Sequence, residues 1–184
     1  MCIRDRLRAV KTVISEYNDL LKKVMGDIAI EMQTFGNPNV EVTTTFDEVK
    51  IIVPEVALFK NKSTSRLTDS GLALLQRISK VLNRYPTFYT QVVGHTDTTQ
   101  PDTKRYKDNW NYSALEAATV VRTLISDFDV NSSQISVGSK SEYEPRGSNA
   151  TFDGKQKNRR IEFVVYRQGE DCLLYTSPSP RDRG

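Results

Sequence analysis

Cysteine is nearly absent from the 184 residues: there are two, Cys2 and Cys172, one near each end. They make no disulfide framework, and the single histidine, His95, adds too little for a zinc site. No run of 18 apolar residues occurs, so no segment reads as a membrane-spanning helix. With 9 glycines and 7 prolines, the chain is neither collagen-like nor low-complexity. A formal charge of +3 is too small to argue for nucleic acid. What is present is 38% hydrophobic and 27% charged residues, one domain's worth of core with some extension.

One inverted DNA repeat can encode both ends. The DNA TGT CTC TTA TAC ACA TCT encodes Cys-Leu-Leu-Tyr-Thr-Ser, the residues from Cys172 to Ser177. Its reverse complement contains ATG TGT ATA AGA GAC, which encodes Met-Cys-Ile-Arg-Asp, the residues from Met1 to Asp5. Residues 1–6 and 172–184 are therefore expected to be translated sequencing adapter and are set aside from fold reasoning. Without them the chain has no cysteine and a formal charge of +1. Met1 is then not the natural start, and a membrane anchor is expected in a missing N-terminal part. A cysteine-free chain fits the bacterial periplasm and the cytosol equally.

Leu7, Val10, Ile14, Tyr17, Leu21, Val24 and Ile28 alternate spacings of three and four, a heptad seam. Residues 7–35 are expected to form a helical stalk or linker that ends before Gly36-Asn37-Pro38. Three readings stand: a seam for a parallel homodimer, a helix packed on its own domain, or one that continues a longer stalk. Val40–Thr45 and Val49–Val53 are β-branched runs around Phe46-Asp47-Glu48 and read as a hairpin. Val56–Phe59 is a short apolar stretch, and the segment from Asn61 to Arg66 is polar loop. Thr68 caps a helix whose face carries Leu74, Leu75, Ile78, Val81 and Leu82, and Pro86 closes it. Phe88–Val93 is a strand ending at Gly94, followed by a polar loop from Thr96 to Asp108. A second helix carries Ala117, Val121, Leu124 and Phe128 on one side. Ile135–Val137 and Ile161–Tyr166 are strands, with loop from Gly138 to Lys157. The order predicts an α+β or α/β sandwich whose sheet has two helices on one face.

Four stretches then carry a resemblance. Val92-Val93-Gly94-His95-Thr96-Asp97 is a strand-then-loop signature, and Asn109-Trp110-Asn111-Tyr112-Ser113 opens the next helix. The run from Gly138 to Pro145, with Asn149 and then Asn158-Arg159-Arg160-Ile161-Glu162, closes the pattern that Leu58-Phe59 and Leu67-Thr68 begin. In this order and spacing the chain resembles the OmpA-like domain family, in the flavour seen in MotB-type proteins. The resemblance covers about residues 49–166, inside an expected domain at 40–167. It implies an α+β fold: a βαβαβ sandwich, a mixed sheet with helices on one face, here preceded by the long N-terminal helix.

The resemblance also implies a periplasmic, non-enzymatic domain without cofactor that holds peptidoglycan. Such a domain grips diaminopimelate, a zwitterion, with an Asp on the ammonium and an Arg fork on the carboxylate. The Asp falls on Asp97, preceded by Thr96; Asn109 lies beside the site, and one of Arg159 and Arg160 pairs with an acidic neighbour there. The expected ligand contacts are Thr96, Asp97, Asn109, Arg160 and the position of Glu116. The family pattern Ser-x-x-Arg-Ala falls on Ser113-Ala114-Leu115-Glu116-Ala117, so an acid stands where the Arg belongs. At ~4 Å and an effective dielectric of about 20, that turns roughly 4 kcal/mol of attraction into repulsion. Ser113 and Glu116 also form a capping-box pattern, in which Glu116 serves the helix start. Lys104, Arg105 and Lys107 are candidate replacement cations.

His95, Asp97 and Ser113 could suggest a hydrolase triad, but no nucleophile elbow surrounds Ser113. Trp110 could stack on a sugar or pack under the long loop, and packing is the expectation. Two functions follow: a cell-wall-binding module anchoring an envelope or motor protein, or an assembly domain whose ligand binding is weakened or lost through Glu116. The expected location is the periplasm, attached to the inner or outer membrane by a segment not in this chain.

Overall fold

The computed structural model describes residues 3–35, 40–45, 47–60 and 66–167. A long helix α1 (Ile3–Phe35) leads into the hairpin β1 (Glu41–Thr44) and β2 (Glu48–Pro54). A single turn α2 (Glu55–Leu58) follows, then α3 (Asp69–Arg84) and β3 (Tyr89–His95). Helix α4 (Asn109–Ser126), β4 (Ile135–Ser141), the short α5 (Phe152–Asn158) and β5 (Arg160–Tyr166) complete the order. The sheet runs β1-β2-β5-β3-β4. Its pairs are antiparallel except β3 with β4, which are parallel and joined through α4.

Alternation along the strands puts the core on one face. Val49, Ile51 and Val53 of β2 and Ile161, Phe163 and Val165 of β5 are buried together with Leu74, Leu75, Ile78 and Val81 of α3. Ala117, Val120, Val121 and Leu124 of α4 join them. Thr68 caps α3 as expected, its hydroxyl accepting the Gly71 amide at 2.9 Å.

The heptad seam divides. Leu21, Val24, Ile28 and Met32 are buried in this same core, so the second half of α1 packs on its own domain. Asp27 locks it there, accepting from Arg84 Nη1 and the Tyr85 hydroxyl, each at 2.7 Å. The side chains of Leu7, Val10, Ile14 and Tyr17 lie outside the described residues, as do residues 61–65 and the expected adapter at 172–184.

Two expectations are corrected. The segment from Gly138 to Lys157 is not all loop: β4 continues through Gly138 to Ser141, because pairing with β3 satisfies its backbone despite a polar sequence. Helix α5 also falls in that segment, capped by the Thr151 hydroxyl on the Gly154 amide at 3.1 Å. Of the short apolar stretch Val56–Phe59, the first three residues belong to the turn of α2.

Candidate functional site

The site forms where β3 ends against the start of α4. A Cβ on Gly94 would lie 2.0 Å from the Ser113 carbonyl oxygen, so only glycine lets strand and helix backbones approach this closely. The loop from Thr96 to Asp108 must return to that junction, which brings Asp97 to the first turn of α4. Asn109 ties the two together: its Nδ2 donates to the Asp97 carbonyl at 3.2 Å and to Glu142 Oε2 at 2.8 Å. The Thr96 amide donates to the Ser141 carbonyl at 3.0 Å.

Helix α4 starts earlier than the capping-box pattern implies. Asp108 is the N-cap, accepting the Asn111 amide at 2.8 Å. Ser113 therefore lies one turn inside, its hydroxyl donating to the Asn109 carbonyl at 2.8 Å and meeting Ser139 Oγ at 2.7 Å. Glu116 falls with Tyr112 and Val120 on the buried stripe and caps nothing. The expected capping role is overturned because a better acceptor, Asp108, precedes the helix.

Four charged side chains meet beneath this junction. Asp97 is only 1% exposed. Its Oδ1 accepts the Thr99 amide at 2.8 Å, and its Oδ2 accepts from Arg159 Nη1. Burial pushes the Asp97 carboxyl up, but the Thr99 hydrogen bonds and the Arg159 guanidinium outweigh it and hold it below the ordinary carboxylate range. Arg159 Nε also faces Glu55 Oε2 at 3.3 Å, and Glu55 Oε1 accepts from the Tyr112 hydroxyl at 2.8 Å. Glu116 is 1% exposed, and its Oε1 has no hydrogen-bond partner among the described residues. Burial first, and the charge of Glu55 second, push its carboxyl well above the usual range. The Tyr112 hydroxyl is pushed up as well, again chiefly by burial.

A pocket of 230 Å³ opens over this cluster, lined by Thr96, Asp97, Thr99, Gln100, Pro101, Asp102, Tyr112 and Arg159. A smaller one of 180 Å³ adjoins it through Gln100 and Pro101 and is lined by Lys107, Asn109, Trp110, Glu142 and Tyr143. Trp110 is half-exposed and stacks on Tyr143, ring centroids 5.6 Å apart, rather than packing under the loop.

Of the sequence-predicted contacts, Thr96 and Asp97 line the larger pocket, Asn109 lines the smaller, and Glu116 is buried behind. Arg160 is elsewhere. Register pairs it with His95 on the face opposite the core, where its Nε donates to Glu162 Oε1 at 2.6 Å. Its Nη2 donates to the Glu144 carbonyl at 3.1 Å. One position of register separates it from Arg159, and alternation sends the two to opposite sides of the sheet. Lys104 and Arg105 line neither pocket. Glu55 and Tyr112 were not foreseen: Glu55 has no local motif, and Tyr112 reads as ordinary helix core. His95 shares the Arg160 face, 3.7 Å from Glu162, so it makes no base for Ser113.

A model of the OmpA family matches residues 59–159. Motility protein B of Bacillus subtilis is 29% identical over 130 residues, 70% of this chain and 49% of that protein. The chain thus spans about half the length of the curated relatives it matches. Among solved structures, a MotB-like protein from Desulfovibrio vulgaris superposes with a TM-score of 0.77 at 22% identity. That likeness, which concerns the fold, covers 87% of this chain and 99% of the other. The cell wall anchor of the T6SS from Pseudomonas aeruginosa superposes with a TM-score of 0.66 at 26% identity, covering 80% of this chain and 97% of that one.

Proposed function

The chain belongs to the OmpA family, and from that membership and the pocket over Asp97 we propose that it is a non-catalytic domain that binds peptidoglycan and anchors an envelope or motor protein to the cell wall. The observation that carries this reading is the pocket itself, where an anion, Asp97, and a guanidinium, Arg159, line one 230 Å³ space at the end of β3. A carboxylate held ionised in a partly dry site is a good partner for an ammonium. In this reading the ligand is the free end of a stem-peptide diaminopimelate, and the domain works in the periplasm, tethered to a membrane by a segment not in this chain. The solved cell wall anchor of the T6SS, similar over most of this chain, supports it. Purified chain mixed with peptidoglycan sacculi and centrifuged tests it. The chain is expected to pellet with the sacculi, and Asp97→Ala to reduce the pelleted fraction at least roughly tenfold, the loss of a charge-assisted contact. Equal pelleting of the two proteins overturns the site assignment.

A second reading is favoured by one observation: Asp97 is almost fully enclosed, and both its oxygens already have internal partners. A domain in that state keeps the fold for assembly and binds the wall weakly. It predicts no pelleting of the natural chain and a gain on Glu116→Arg.

A further inference from the structure

Charge accounting in the Asp97 pocket points to a narrower ligand than the family zwitterion. Resting on the peptidoglycan reading above, we propose that the pocket selects a stem residue whose side-chain end carries an ammonium but no free carboxylate, a diaminopimelate amidated at that carboxyl. The charged residues lining the pocket are Asp97, Asp102 and Arg159, two anions and one cation. The cation is already divided: Arg159 gives Nη1 to Asp97 and Nε to Glu55, so one guanidinium answers two carboxylates. The helix position that bears Arg in the family pattern is Glu116, enclosed at 1% exposure, so this position offers no cation to a ligand carboxylate.

No lining group therefore remains to neutralise a ligand carboxylate, while an ammonium meets Asp97 and, at the exposed edge, Asp102. Lys155, half-buried, reaches the rim, its Nζ 3.4 Å from the Thr99 hydroxyl, but it is not among the residues that line the pocket. Converting the carboxylate to a primary amide removes the uncompensated anion and supplies a neutral donor and acceptor beside Gln100, Thr96 and Asp102. A buried charge without a partner is the costliest thing to bring into such a site, and the amide avoids it.

The test uses the whole chain and two ligands: N-acyl, C-amidated diaminopimelate with a free side-chain zwitterion, and the same compound with the side-chain carboxylate as a primary amide. Calorimetric titration at neutral pH is expected to show the amide binding roughly tenfold more tightly than the acid. Glu116→Gln and Lys155→Gln keep that ratio, and Glu116→Arg inverts it. Equal or tighter binding of the acid by the natural chain overturns the inference, whether or not the Arg variant folds. If sacculi pellet the chain and neither compound binds, the inference also falls, because the pocket then holds some other part of the wall. If sacculi do not pellet the chain and neither compound binds, the peptidoglycan reading falls with it.

Discussion

At the scale of single residues, burial of ionisable groups decides the chemistry. His95 is enclosed beside Arg160, and burial first, then that charge, push its imidazole down to about 4 from 6.5. A base with a lowered folded value binds its proton less well folded than unfolded. Its stabilising effect is complete above pH 6.5 and is lost as pH falls from 6.5 through about 4, amounting to about 3 kcal/mol. It is the chain's single histidine, so one imidazole NMR signal reports it. That signal should titrate near 4 in the folded chain and near 6.5 in urea; a folded midpoint above 6 contradicts the burial argument. Glu116 has the opposite sign. Its folded value is raised above the ordinary 4.5, so its proton favours the fold below that pH and the advantage is lost as pH climbs through the folded value. Glu116→Gln removes this dependence. Urea unfolding at pH 5 and pH 8 should show the variant gaining on the natural chain at the higher pH; a constant difference would mean that Glu116 is ionised at both. That Glu116 departs from the family pattern was visible in the sequence. That its carboxyl is pushed above the ordinary range was not, because burial and the nearness of Glu55 belong to the folded chain.

At the scale of elements, close approach of backbone matters more than propensity. Gly94 brings β3 against α4, and an added Cβ meets the Ser113 carbonyl, which no side-chain rotation can move aside. Gly94→Ala should lower the unfolding free energy by roughly 3 kcal/mol, at the upper end of overpacking effects. Gly138→Ala is the contrast, since its new Cβ meets only the Gln91 and Val93 side chains, the nearest atom at 3.3 Å. It should change stability by less than about 1 kcal/mol. Equal losses in chemical denaturation would show that the junction is looser than described. Strong periodicity made α3, β2, β3 and β5 readable within a residue or two. The second half of β4 and helix α5 were not, because the first is polar and edge-paired and the second depends on a threonine cap inside a glycine- and asparagine-rich stretch. Helix α4 was placed correctly, yet its start was misjudged where two capping signals, Asp108 and Ser113, competed.

At the scale of the molecule, the second half of α1 belongs to the domain. Ile28 is buried in the common core at 1% exposure, with Leu21 and Val24 beside it. Ile28→Ala should cost about 3 kcal/mol and shift a single unfolding transition monitored by circular dichroism. A helix that melts separately at lower denaturant would show instead that α1 stands apart. What the amino-acid order determined alone was the family, the α+β class, the hairpin and the two long helices, since all rest on local spacing and chemistry. The tertiary structure decided the rest. It chose Arg159 over Arg160 because the sheet sends neighbouring residues to opposite faces. It joined Glu55 to Tyr112 and Glu116 across 57 and 61 positions of chain. It buried Glu116 and pushed its carboxyl above the ordinary range, because a side chain's proton affinity depends on the dielectric and partners that only the folded packing supplies.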